Sequence, residues 1–261
     1  DKLRAELEKQ VAGTDLPDSP STRVEKALAG LHPDRVKLEV SEVIEETAST
    51  KTLRMKAAEG ELPWFRPGQY VNLFCEVDGV MTSRPYSIAS PPGTGYWDIT
   101  VRRMPEGFVS DYLLDRVKPG DLFESTGPSG SFYHEPLMDT NDLVFLAGVS
   151  GITPFASIIR EAARRGAGPR MYLIYGSRDP ADVIFGEELK ELEGKLDNLK
   201  VDFVISEAVE GWSGPCGLLD AEMISRLVGS VEGKTFYVCG PAQMYVLCEG
   251  ALASLGVPRG R

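Results

Sequence analysis

The chain has 261 residues, of which 42% are hydrophobic and 26% charged, room for two ordinary globular domains. A net charge of −11 excludes the basic face that a nucleic-acid binder needs and gives no attraction to anionic lipid. No apolar run approaches the roughly 18 residues of a membrane-spanning helix, so membrane insertion is not expected.

Residues 1–35 read as a short helical N-terminal extension. Leu3, Leu7 and Val11 recur at helical spacing, Thr22 and Glu25 form a capping box, and Val24, Leu28 and Leu31 make an apolar stripe ended by Gly30 and Pro33. From Val36 the period changes to two. Strands are expected at Val36–Val40, Thr52–Lys56, Tyr70–Val77, Trp97–Arg102 and Leu122–Glu124, with one helix at Val109–Val117. Short strands at this spacing predict an antiparallel β-barrel over residues 36–138. From Leu143 apolar runs alternate with helical stripes. Runs at Leu143–Ala147, Met171–Tyr175, Val201–Ile205 and Thr235–Cys239 are each followed by a helix, which predicts an α/β domain with a parallel sheet over residues 139–261.

Cys75, Cys216, Cys239 and Cys248 form no C-x-x-C pair, so neither a zinc site nor a cysteine-ligated cluster is encoded. Free thiols of this kind suit a reducing compartment, and a cytoplasmic location is expected. His32 and His134 are the only histidines, a poor supply for histidine-dependent catalysis.

Five short motifs carry the chemistry. Arg84-Pro85-Tyr86-Ser87 ends a strand and offers a cation, a flat ring and a small hydroxyl. Gly107-Phe108-Val109-Ser110 opens a helix, where backbone N–H groups favour an anion. Gly127-Pro128-Ser129-Gly130-Ser131-Phe132 reads either as part of a ligand site or as a hairpin loop with an aromatic plug. Gly148-Val149-Ser150-Gly151-Ile152-Thr153-Pro154 follows a buried strand and opens a helix, the context of a pyrophosphate loop. Cys239-Gly240-Pro241 stands between the last strand and the last helix.

Together these motifs resemble the ferredoxin–NADP reductase superfamily over roughly Val36 to Leu255. The resemblance implies FAD held by Arg84, Pro85, Tyr86, Ser87, Arg102, Gly107, Val109, Ser110, Gly127 and Gly130. It implies a nicotinamide dinucleotide held by Gly148, Ser150, Gly151, Thr153, Pro154, Ser206, Glu207, Cys239, Gly240 and Pro241. Ser87 and Cys239 are then the residues nearest the chemistry: Ser87 at the flavin ring edge, Cys239 against the nicotinamide. One departure stands out, because Val149 occupies a position where the family pattern has glycine.

Members that use NADPH typically carry Ser-Arg after the third parallel strand. This chain has Ser206-Glu207, whose carboxylate would repel the extra phosphate, so NADH is favoured over NADPH, with Arg178 as the counter-argument. The expected function is a flavin-dependent reductase that takes hydride from NADH onto FAD and passes single electrons to an iron–sulfur or other metalloprotein partner. Two alternatives stay open: a diaphorase that reduces a small molecule, and a flavin-binding subunit that no longer uses nicotinamide. The ending Val257–Arg261 resembles the join to a further segment, so the chain is expected to be a fragment whose missing domain, or a separate protein, carries the iron–sulfur centre.

Overall fold

The computed structural model describes residues 34–207 and 209–259. All but the last two residues of the helical extension expected at 1–35 lie outside them.

Strands β1 (Val36–Thr47), β2 (Thr50–Ala57), β3 (Tyr70–Val77), β4 (Val80–Ser87), β5 (Trp97–Arg102) and β6 (Leu122–Ser125) form an antiparallel sheet in the order β4-β3-β6-β1-β2-β5. Its two edges meet through the Ile88–Ile99 bridge and an Ala89 N–H bond to Asp98 O of 2.8 Å. That contact curls the sheet into the expected barrel. Alternation sets the core: Leu38 and Val40 point in, with Leu53, Met55, Leu73 and Ile99, while Lys37 and Glu39 face solvent. Helix α1 (Phe108–Asp115) contributes Val109, Leu113 and Leu114 to this core, and Trp97 meets Phe65 edge-on at 6.4 Å. β1 runs seven residues beyond its expected end. Its second half is half-buried and breaks register at Val40/Glu42 and Glu45/Thr47, so no two-residue period marks it.

Strands β7 (Asp142–Gly148), β8 (Arg170–Ser177), β9 (Leu199–Ile205) and β10 (Thr235–Cys239) form the parallel sheet in the order β10-β7-β8-β9. Leu143, Phe145 and Ala147 of β7 face α2 (Thr153–Arg165) and α3 (Gly186–Lys195). Val144 and Leu146 face α4 (Ala221–Val228) and α5 (Ala242–Ser254), so both faces of the sheet are covered. Local signals fix the helix ends. Pro154 sits in the first turn of α2 and Gly166 ends it at φ +63°, while the Asp220 side chain caps α4 by accepting from Met223 N–H at 2.9 Å.

The chain steps from β7 outward to β8 and β9, then returns to the other side of β7 as β10. The crevice at the C-terminal ends of β7 and β10 is therefore the switch point where an open α/β sheet binds ligands. The barrel covers it and is fastened there. Ser157 Oγ donates to Ser90 O at 2.8 Å, and Arg160 Nη1 donates to Ala89 O at 2.9 Å. Asp182 accepts from Thr47 Oγ1 (2.9 Å), Ser49 Oγ (2.6 Å) and Arg102 Nη2 (2.6 Å). Among the described residues, no helix is long and apolar enough to cross a membrane.

Candidate active site

A cleft of about 680 Å³ lies between barrel and sheet, and residues from four of the five sequence motifs line it. The barrel supplies Arg84–Ser87 from β4, Thr100 and Arg102 from β5, and Gly107–Ser110 at the start of α1. The sheet side supplies Val149–Gly151, Thr153 and Cys239–Pro241.

On the barrel side the groups suit an anionic, flat ligand. Arg84 donates to Thr82 Oγ1 (2.9 Å) and Ser83 O (2.7 Å), which pins one nitrogen. Among the described residues no carboxylate lies within ion-pair distance of it, so its charge is uncompensated. Tyr86 is half-buried against the barrel core, and burial pushes its phenol well above the ordinary range, so the ring is neutral. Ser87 ends β4 opposite Tyr70 in register. Helix α1 begins at Gly107 with no side-chain cap, which leaves its first N–H groups to a ligand or to water.

The G-x-x-S spacing has a local explanation. Ser110 Oγ accepts from Met104 N–H (3.1 Å) and donates to Gly107 O (3.3 Å). A Cβ on Gly107 would lie 2.0 Å from Ser110 Oγ. The glycine thus makes room for the serine, and the serine closes the loop that presents the helix start. Arg102 gives Nη2 to Asp182 while its Nε is buried without a partner, so it both borders the cleft and ties barrel to sheet.

On the sheet side the two strand ends touch backbone to backbone. A Cβ on Gly151 would stand 2.1 Å from Cys239 O, one on Gly148 2.3 Å from Met244 Sδ, and one on Gly240 3.2 Å from Gly148 N. The missing side chains let the pyrophosphate turn pack directly on the end of β10, which sets the floor of the cleft. Thr153 Oγ1 donates to Ser150 O at 3.0 Å and holds the turn, while Pro154 is buried behind it. Cys239 borders the cleft. Burial pushes its thiol up, against an opposing hydrogen bond with Tyr245, so it stands as a neutral, compact neighbour rather than a nucleophile.

A second cleft of about 460 Å³ continues along the strand ends. Val149 and Pro241 border both, and Gly176, Ser177, Arg178, Ser206, Gly217 and Gln243 line the far part. Glu207 is drawn to Arg178, Nε to Oε1 at 3.0 Å, so the two opposing charges of the coenzyme argument neutralise each other.

Gly127 and Gly130 line neither cleft. Gly130 sits at φ +97° against the Tyr70 ring, and Phe132 inserts between Phe155 (5.5 Å) and Tyr237 (5.2 Å) of the sheet lobe. Phe132 of this motif thus packs into the joint between barrel and sheet. Thr100, Met104 and Glu106 also line the cleft and were not expected from sequence. Glu106 stands at φ +55°, a conformation that no residue pattern announces. Gly176 and Ser177 were findable, because they end the strand next to β7.

Residues 35–134 match the family described as oxidoreductase FAD-binding domain, and residues 145–249 match the oxidoreductase NAD-binding domain. The chain is 33% identical over 216 residues to ferredoxin–NADP reductase B of Sorangium cellulosum, covering 80% of this chain and 88% of that protein. It is 32% identical over 202 residues to the glycine betaine monooxygenase reductase subunit of Pseudomonas aeruginosa, covering 76% of this chain and 55% of that protein. The chain thus spans about half the length of that relative. Among solved structures, a cytochrome P450 reductase of Amycolatopsis superposes with a TM-score of 0.78 at 27% identity, covering 88% of this chain and 69% of that one.

Proposed function

This chain belongs to the ferredoxin–NADP reductase-like superfamily of FAD- and NAD-binding oxidoreductases, and from that premise we propose that it is the flavin-dependent reductase part of an electron-transfer chain. The observation that carries the reading is the single cleft in which uncompensated Arg84 and the uncapped start of α1 face the Cβ-less junction of β7 and β10. When bound, FAD accepts a hydride from the nicotinamide and gives electrons up one at a time.

The chain's own residues position both ligands. Arg84 and the α1 N–H groups neutralise the flavin diphosphate, and Tyr86 lies along the ring system with its proton kept. Ser87 offers its hydroxyl at the reactive ring edge. Across the cleft, Gly148, Gly151 and Gly240 let the turn and the end of β10 close together into the wall that would hold the dinucleotide. Thr153 and Cys239 would frame the nicotinamide, the neutral thiol supplying a compact, polarizable contact.

NADH is the favoured coenzyme. Supporting this, Glu207 follows Ser206 of the far cleft and pairs with Arg178, adding negative charge where an extra phosphate would need a cation. The proposed electron acceptor is an iron–sulfur or other metalloprotein; a relative named as the reductase subunit of a monooxygenase supports a separate oxygenase-side acceptor. Free thiols at Cys75, Cys216, Cys239 and Cys248 fit a cytoplasmic location. One observation favours the reading of a flavin-binding subunit without nicotinamide chemistry: Val149 in the pyrophosphate turn.

Anaerobic mixing of the FAD-loaded protein with NADH or NADPH tests the proposal. Bleaching of the flavin, faster with NADH, is expected, followed by return of the colour when a one-electron metalloprotein acceptor is added. Flavin that stays oxidised with both nucleotides leaves only the subunit reading, and faster reduction by NADPH overturns the coenzyme assignment.

A further inference from the structure

We infer that Val149 limits the affinity of the sheet lobe for a pyridine dinucleotide, standing as a threshold between the two clefts; this rests on reading the groove as a nicotinamide site. Val149 borders both clefts, so a ligand that spans them crosses it. Its backbone lies at φ +53°, in the left-handed region that a β-branched residue adopts only against steric resistance. The conformation is held from beneath. The buried Tyr175 hydroxyl donates to Val149 O at 2.8 Å, and the Tyr175 Oη accepts from Ile184 N–H at 3.2 Å.

The neighbours sharpen the contrast. Gly148 and Gly151 have no room for a Cβ, because the end of β10 and Met244 fill it. The turn is thus bare at Gly148 and Gly151, where it packs against the end of β10 and Met244, and carries a branched apolar group where the two clefts meet. Glycine would take the same φ without strain. Beside an anionic diphosphate, the bulk of valine removes space. The native turn therefore holds the dinucleotide loosely and releases it quickly.

Calorimetric titration of NAD⁺ and NADP⁺ into the FAD-loaded wild type, Val149→Gly, Val149→Ala and Val149→Asn tests this without relying on turnover. Val149→Gly is expected to tighten NAD⁺ binding about tenfold, the scale of a small apolar group gained or lost in a pocket. Val149→Ala should fall between, and Val149→Asn, which tolerates the left-handed region yet keeps the bulk, should stay near wild type. Equal dissociation constants for wild type and Val149→Gly would overturn the inference, as would equal tightening by Val149→Asn, which would assign the effect to strain rather than bulk. Tight binding by Val149→Gly alone would keep the inference and remove the nicotinamide reading for the native chain. Absence of binding in every protein, with no flavin reduction in the wild type, would remove both.

Discussion

Gly151→Ala puts the contact between β7 and β10 under direct test. The added Cβ would lie 2.1 Å from Cys239 O, 2.4 Å from Cys239 C and 2.7 Å from Gly240 N. All three are backbone atoms, so no flexible side chain can swing aside. The turn and the end of β10 must part by more than about 1 Å before the methyl reaches ordinary contact. Overpacking of this kind costs about 1–3 kcal/mol. For a protein of this size 2 kcal/mol lowers Tm by about 4–8 °C. The same displacement moves Cys239 and the pyrophosphate turn apart, and a shift of that size can cost about a hundredfold in rate. FAD should remain bound, because the barrel supplies its anion contacts. The assay pairs thermal melting with stopped-flow reduction by NADH. Gly194→Ala is the control, since it lies inside α3 with nothing within 4 Å of its would-be Cβ, and it should leave the rate unchanged while raising stability by about 0.4–1 kcal/mol. A Gly151→Ala protein with wild-type Tm and wild-type reduction rate would refute the reasoning.

Four further outcomes follow from the geometry. Glu207→Gln frees Arg178 and should move coenzyme preference toward NADPH, whereas Arg178→Ala should move it toward NADH, read as the ratio of kcat/KM values. For Asp182, burial pushes the carboxyl up but is outweighed by hydrogen bonds from Ser49, Arg102 and Thr47, so its pKa lies below the ordinary 3.8. Its contribution is therefore complete above about pH 3.8 and is lost as pH falls below it, and melting curves should show an Asp182→Asn deficit that shrinks as the solution is acidified through that point. Tyr175→Phe leaves the Val149 carbonyl and the Ile184 N–H without their partner and should cost about 1–3 kcal/mol in denaturant unfolding. Thiol titration of the native protein should find Cys216, which is exposed, reacting first, while burial keeps Cys75 and Cys248 protonated with thiols pushed up to about 11.

Most of the fold was legible because its periods are clean. The two-residue alternation of β3 and β5 and the apolar run of β7 gave elements within a residue or so of those observed. The far half of β1 was not, since a half-exposed ribbon with bulges has no face to mark. In the site, motifs at strand ends and helix starts converged as expected, because local chain geometry places them there. What could not be read depends on distant partners. The Arg178–Glu207 pair joins residues 29 positions apart, and Asp182 reaches Thr47 and Ser49 across the joint. Phe132 was visible as an aromatic, but its partners Phe155 and Tyr237, distant in sequence, were not.

The measurement closest to the central claim is single-turnover reduction of the FAD-loaded protein by NADH carrying deuterium at the transferred position. If one cleft brings nicotinamide and flavin into contact, the flavin colour bleaches, the rate saturates with nucleotide, and deuterium slows it. A protein that binds no FAD, or whose bound flavin is untouched by reduced nucleotide, would contradict the account.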